Sequence, residues 1–447
     1  MLARLLEEGY SESDGFWRLV PHRSLPSERI STWTTRDMVE ALDSLYVPSP
    51  RKTIRYMDTV QKRIGHRAPA RSAARGKRVQ AARPLRGGRA AAAKRKVAEQ
   101  APTPLVIIHL SDIQGLAAWR AEDRGGDAAD RDRTGAYDTL LDSLRSDIEQ
   151  HERESPPVPR PNAVLISGDL INKGQIEHYA VVAKFLAELA AALGIDRDRV
   201  VMIPGNHEVN WELSAWAYGT NPYGPHVEEG AEDGPRNDIK YPYRLLPFKM
   251  FFDEFYGGRL TFALSGDPFV VFDKFVEEHK VVLVGFNSVV QTDHTRNRRD
   301  LGYIPFDAPR KAARSEALKA QGPTCLRVAT WHHDLLTGMP PEPGITKYYD
   351  EQVRKQLLGS GFRILMHGHS HAAEVYETDL INLGAGSIGA AEEDKPAGAR
   401  HFYQIVEIDV AAKRCRVHAR QWSDLEWQAA PVLKGRRSYR DFGLQVR

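Results

Sequence analysis

The stretch LVIIHLSDIQG, Leu105 to Gly115, opens on four consecutive apolar residues and closes on a polar break and a glycine. A short apolar run bounded by turn formers reads as a strand buried on both faces. Along an extended chain, positions two apart share a side, so Asp112 and Gln114 point together beyond the strand end. A strand this hydrophobic that ends in two oxygen-bearing side chains is expected to present them to something polar.

The same grammar recurs downstream. Strands are expected at AVLISG (163–168), RVVMIPG (199–205), VVLVGFN (281–287), LRVATWH (326–332) and FRILMHG (362–368). FYQIVEID (402–409) and RCRVHARQW (414–422) follow as an antiparallel pair. Amphipathic helices are expected between them at Ala136–Glu149, Ile176–Leu193 and Ala308–Ala320. Apolar strands alternating with helices predict a layered α/β domain over 104–425, with 426–447 as a tail.

The chain has 447 residues, a net charge of +3 and two cysteines, Cys325 and Cys415. Two cysteines cannot form a disulfide framework or a thiolate metal site. With no apolar leader and no membrane-length run, a cytoplasmic protein that avoids the membrane is the expectation. The charge is unevenly placed: eleven Lys/Arg and no acid lie between Arg67 and Lys96. Residues 66–103, rich in Ala, Arg, Gly and Pro, read as a disordered linker, because they lack the apolar area that offsets ordering entropy. Before it, Met38, Val39, Leu42, Leu45 and then Ile54, Met57, Val60, Ile64 recur at helical spacing, so residues 1–65 read as a small helical unit. It is either a docking module for a protein partner or an appendage without one.

Each buried strand ends in polar residues. These are Asp112 and Gln114, then Asp169 and Asn172, then Asn206, His207 and Glu208, then His332 and His333, and finally His367, His369 and His371. In an open α/β sheet, ligands bind beyond the carboxyl ends of the strands, so these residues converge on one crevice. Carboxylates, an amide and imidazoles without thiolates suit Mn²⁺, Fe²⁺ or Zn²⁺ and poorly suit Ca²⁺. The donors exceed what one ion needs, and a carboxylate such as Asp169 can bridge two. A Gly-Asp after a strand is by itself a common turn, and Asn-His a common helix cap. Their joint occurrence at five strand ends is what points to metal chemistry.

In this order, Asp112-x-Gln114, GDLIN, GNHE, HH and GHSH resemble the motifs of the calcineurin-like metallophosphoesterases. The resemblance implies a four-layer α/β/β/α sandwich and two divalent ions. Asp112, Asp169 and His371 would hold the first, with Asp169 bridging, and Asn206, His332 and His369 the second. It implies His207 as transition-state stabiliser or general acid. The family usually carries Asp-x-His in the first motif. Gln114 is either a weaker, neutral ligand that favours a harder ion such as Mn²⁺, or a hydrogen-bonding neighbour. The variant resembles the Mn²⁺-dependent ADP-ribose and CDP-alcohol diphosphatases. Of the histidine pair, His332 is favoured as ligand because it ends the strand directly. His333, Asn172 and Glu208 are expected to support the ligands or contact substrate, and His109 and His367 to be core histidines.

The expected activity is hydrolysis of a nucleotide-type phosphodiester or diphosphate by a metal-bound hydroxide. Two alternatives stand beside it. One is a nuclease on DNA or RNA, suggested by the basic linker. The other is a catalytically weak metal-binding scaffold, suggested by Gln114 alone. Trp211, Trp216, Tyr218, Tyr223, Tyr241, Tyr243 and Phe248 lie in a long insertion, either as a stacking platform for a base or as a satellite hydrophobic cluster. Arg296, Arg298 and Arg299, on a later loop, either grip phosphate or are solvated.

Overall fold

The computed structural model describes residues 101–445, except 115–128, 152, 155–156, 173, 220–235, 296–297, 323, 335–344, 391–394, 424 and 432–436. It also describes two short N-terminal strands, β1 (Tyr10–Ser11) and β2 (Phe16–Trp17), which pair antiparallel. The helices expected within 34–65 and the basic run 67–96 lie outside the described residues.

Two sheets form the body. The first takes its parallel part from β3 (Leu105–Leu110), β4 (Ala163–Ile166) and β5 (Val200–Met202). The second begins with β6 (Phe269–Phe272), followed by the parallel strands β7 (Val281–Phe286), β8 (Leu326–Thr330) and β9 (Phe362–His367). It ends with β10 (Ala373–Glu377) and β11 (Ile381–Ala385), in the order β10-β11-β9-β8-β7-β6. The chain then returns to the first sheet with β12 (Phe402–Asp409), antiparallel to β3, and β13 (Arg414–Ser423). β14 (Glu426–Ala429) and β15 (Tyr439–Gly443) both pair with β13, and the sheet runs β14-β13-β12-β3-β4-β5. Within 426–447, expected as a tail, Glu426–Ala429 and Tyr439–Gly443 are therefore strands of this sheet. Buried Trp427 and Phe442 supply the apolar area that holds them there.

Side-chain alternation sets the layers. In β7, Val281 and Leu283 enter the core between the sheets. Val282, Val284 and Phe286 pack outward with Ala308, Ala312, Leu318, Val353 and Leu357 from helices. On the far face of the first sheet lie the Ala129–His151 helix, through Leu140, Leu144 and Ile148, and the Tyr179–Leu193 helix, through Phe185, Leu186 and Leu189. Each such apolar side chain contributes about 1.5–3 kcal/mol on burial. The result is helix, sheet, sheet, helix, as expected. The Tyr179–Leu193 helix ends where Gly194 turns left-handed at φ 71°. The helix expected at 308–320 is instead two short ones, interrupted at Ser315, whose extended backbone and Oγ cap Leu318 N at 3.3 Å.

A buried ionic knot fastens the first helix to its sheet. Arg420 Nε donates to Asp147 Oδ2 at 2.9 Å, and His151 Nε2 lies 3.0 Å from the same oxygen. The Tyr403 hydroxyl also donates to Asp147. Burial opposes ionisation of Asp147, but the hydrogen bonds from His151 and Arg420 hold its carboxyl below the usual range.

The insertion between β5 and β6 is held by Arg244. This buried guanidinium donates to the carbonyls of Thr292 (2.7 Å), Tyr241 (2.7 Å), Val289 (2.9 Å) and Val290 (2.8 Å). Asp293 Oδ2 accepts from the hydroxyls of Tyr218 (2.7 Å) and Tyr241 (3.1 Å), and Ser214 Oγ meets His294 Nδ1 at 2.8 Å. The insertion and the loop after β7 are thereby locked together.

Candidate metal centre

The crevice lies where the carboxyl ends of β3, β4, β5, β8 and β9 meet. Asp112, Gln114, Asp169, His369 and His371 all have positive φ, between 44° and 70°. Non-glycine residues seldom adopt this conformation, and it persists only where surrounding bonds impose it. Here those bonds are visible. The Asp112 carbonyl accepts from Ser387 Oγ (3.1 Å) and Gly389 N (3.0 Å), and Gln114 N donates to the Asp169 carbonyl at 2.9 Å. Gly205 has no alternative residue: an added Cβ would lie 2.1 Å from Asp169 Oδ1.

One donor group comprises Asp112, Asp169 and His371, each offering an atom within 4.8 Å of the others. Asp112 Oδ1 is 3.1 Å from His371 Nε2. Gln114 turns its amide nitrogen to this group, donating to Asp169 Oδ2 at 3.2 Å and lying 3.2 Å from His371 Nε2. This is the hydrogen-bonding arrangement; ligation through its oxygen requires a half-turn of the amide.

The second group forms around His332. Its Nδ1 donates to the Ser167 carbonyl at 2.8 Å, which turns Nε2 to the crevice. Nε2 lies 2.9 Å from Asn206 Oδ1 and 3.3 Å from Asp169 Oδ2. Three lone-pair atoms this close need a cation among them, a proton or a metal ion. Burial works against a charged imidazole, but the Asp169 carboxylate outweighs it and lifts His332 to about 9. The pull on a proton here is also a pull on a divalent ion, so the residues fit the metal that the motifs imply. His369 completes the wall: its ring centroid is 5.1 Å from that of His332, and its backbone N donates to Asp112 Oδ2 at 3.1 Å. Burial and the neighbouring His332 push His369 down to about 4, leaving a neutral imidazole able to bind metal.

The remaining residues named from sequence fall around these two groups. His207 Nδ1 pairs with Asn172 Oδ1 at 2.9 Å, while Nε2 looks toward Asp169 Oδ2 at 3.8 Å. With its side chain 31% exposed, His207 can reach a bound substrate. Glu208 has no free edge: its carboxylate accepts from the backbone N of Asp169 (2.8 Å), Gly205 (2.7 Å), Leu170 (2.8 Å) and Ile171 (3.1 Å). It shapes the loops that carry Asp169 and Asn206. His333 turns Nδ1 to Ser288 Oγ at 2.9 Å and stands 4.4 Å, ring to ring, from His369. His109 and His367 are fully buried in their strands.

Among the described residues, three of the insertion aromatics are too buried to stack on a base. Trp216 and Tyr241 are buried in the insertion, Phe248 is buried in the main core beside Tyr179, and Tyr223 lies outside the described residues. Arg298 and Arg299 sit on the loop after β7 with side chains 34% and 41% exposed, and Arg296 lies outside the described residues. Sequence reading missed Ser167, Ser288, Ser387 and Asp300, which hydrogen-bond to His332, His333, Asp112 and Asn206. Ser167 alone carried a signal, since it lies within the strand-end motif.

The family model for calcineurin-like phosphoesterases matches residues 105–373. Among solved structures, the chain is similar to a dimetal phosphatase from Danio rerio, at 13% identity over 72% of this chain and 98% of that one, with a TM-score of 0.38. It is similar to a putative 5'-nucleotidase from Staphylococcus aureus, at 12% identity over 68% of this chain and 51% of that one, with a TM-score of 0.32. It is also similar to vacuolar protein sorting 29 from Cryptosporidium parvum, at 11% identity over 76% of this chain and 98% of that one, with a TM-score of 0.31. No curated protein sequence matches it. The family match covers more than half of the chain and runs through the strand ends that gather the donors, so the chain belongs to the calcineurin-like phosphoesterases, divalent-metal-dependent hydrolases.

Proposed function

We propose that this hydrolase is a two-metal phosphodiesterase or diphosphatase acting on a nucleotide-type phosphate bond. The observation that carries the reading is Asp169, whose carboxylate belongs with Asp112 and His371 in one donor group while its Oδ2 lies 3.3 Å from His332 Nε2 of the other. Asp112, Asp169 and His371, with Gln114 beside them, would hold one ion, and Asn206, His332, His369 and Asp169 the other. Two divalent ions there supply Lewis-acid polarisation of the phosphoryl group and a water acidic enough to ionise near neutral pH. The chain supplies the rest. The Asn172 partner holds the His207 ring so that Nε2 faces the crevice, where it donates a proton to a phosphoryl or leaving-group oxygen. Mn²⁺ is the preferred ion on this reading because Gln114 replaces an imidazole, with Fe²⁺ and Zn²⁺ behind it.

The basic run Arg67–Lys96 supports a second reading, a nuclease whose DNA or RNA is gathered electrostatically. Residues 1–65 would then serve as a docking module for a protein partner. Cys325 and Cys415, both buried and unpaired, favour a reducing cytoplasm. Among the described residues no helix is long and apolar enough to cross a membrane.

The test is hydrolysis of bis(p-nitrophenyl) phosphate in Mn²⁺ by wild type and Asp169→Asn. Activity that disappears in the variant, with its fold intact, is the expected result. A wild type that binds no Mn²⁺, Fe²⁺ or Zn²⁺ and turns over no phosphoester would leave a scaffold instead.

A further inference from the structure

Asn206 faces two ways. Its Oδ1 meets His332 Nε2 at 2.9 Å, and its Nδ2 donates to Asp300 Oδ1 at 3.4 Å. The two ends of a carboxamide are nearly alike in size and opposite in chemistry. With the oxygen inward the residue is a donor to a cation; turned by half a rotation, it presents N–H groups that repel one. Some group must select between these states. Asp300 is that group on the outer side, since a carboxylate accepts hydrogen bonds and gives none.

The loop that carries Asp300 is built to hold it there. Arg299 Nε donates to Asp300 Oδ2 at 3.2 Å in an exposed neighbouring pair, which leaves Oδ1 to Asn206. Thr292 Oγ1 donates to the Leu301 carbonyl at 2.7 Å, and Asp293 Oδ1 accepts from Thr295 N at 3.0 Å and from Thr295 Oγ1 at 2.6 Å. Arg244 and the two tyrosines on Asp293 tie that loop to the insertion. Two residues past Asp300, Gly302 is pressed against His333, where an added Cβ would sit 2.5 Å from the ring. The loop thus meets the centre at two points on the same side. Neither Asp300 nor Gly302 belongs to a strand-end motif.

We infer that Asp300 is a positioning residue that keeps the Asn206 amide oxygen turned toward the second ion, so that the insertion, through the loop after β7, sets the affinity of that ion. This rests on the reading of Asn206 as a metal ligand. Asp300 touches no reacting atom; it acts through Asn206.

The experiment is calorimetric titration of the full, metal-free chain with Mn²⁺ for wild type, Asp300→Ala and Asp300→Asn, with melting in EDTA to compare the folds. In Asp300→Ala, one of two Mn²⁺ sites should weaken by about tenfold or more, while the other keeps its affinity. Asp300→Asn should bind more weakly than wild type but more tightly than Asp300→Ala, because its carboxamide accepts the Asn206 bond in only one of its two orientations. Wild-type affinity in Asp300→Ala would overturn the inference, and so would an equal loss in both variants, which would assign the effect to charge. A wild type that binds no Mn²⁺ would overturn the metal reading itself and this inference with it.

Discussion

His207 and Asn172 are separated by 35 positions and meet through one 2.9 Å contact. If His207 moves a proton during the reaction, His207→Ala should lower kcat by about 10²–10⁴-fold and leave Mn²⁺ binding by calorimetry unchanged. Asn172→Ala should give a smaller loss that falls on kcat rather than KM. A His207→Ala enzyme with wild-type kcat would remove the residue from the chemistry. At this scale the sequence was most legible where a side chain sits one or two positions past an apolar run, because alternation and the strand end together dictate where it points. His332 was separable from His333 on that ground, and its Nε2 does face Asn206 and Asp169 while His333 turns to Ser288. The hydrogen-bonding partners of the site were not legible. Ser288, Ser387 and Asp300 are single polar residues in loops whose partners are fixed only by tertiary packing.

The strand ends owe their shape to glycines placed where two loops touch. Gly368 follows β9, and an added Cβ would fall 1.8 Å from Ser111 Oγ and 2.8 Å from Asp112 Oδ2, whereas Gly359, closing the Ile345–Gly359 helix, has nothing within 4 Å. Gly368→Ala should therefore cost Mn²⁺ affinity and lower the melting temperature. Gly359→Ala should be neutral or stabilising by up to about 1 kcal/mol. Equal melting and metal binding in the two variants would show that the contact at Gly368 is unimportant. The long buried strands were legible as elements because LVIIHL and VVLVGF are short, rich in β-branched residues and bounded by turn formers, which favours strand over helix. β10 and β11 were not, since AEVYE and INLGA each carry a single β-branched residue. The break at Ser315 was hidden because Ala and Lys on either side of it are good helix formers.

Across the whole molecule, several histidines are buried away from the crevice and held neutral. Burial, reinforced by His367, pushes His109 down to about 3, and burial with the nearby Arg416, His151 and Arg420 pushes His418 down to about 4, against Asp441. Both values lie below the ordinary histidine pKa of about 6.5. The unfolded chain therefore binds protons that the folded chain refuses. Their contribution is full above about pH 6.5 and is lost as pH falls toward 4 and then 3, with a slope of up to about 1.4 kcal/mol per pH unit for each histidine. Melting in EDTA should drop between pH 7 and 5; a flat profile would contradict the burial of these rings. The four layers were legible from the alternation of elements, but the extent of the first sheet was not, because β14 and β15 are short and partly exposed. The centre strand β3 carries Asp112, yet it is flanked on one side by β4 and on the other by β12, at 402–409. The bonds that pin the Asp112 carbonyl come from Ser387 and Gly389. A polypeptide made from its amino end therefore presents its earliest ligand long before the strand and the loop that fix it exist. Asp112 can be held in its donor geometry only once residues 387–409 have been made and folded onto β3, so full ion capture is a late event in the chain's folding.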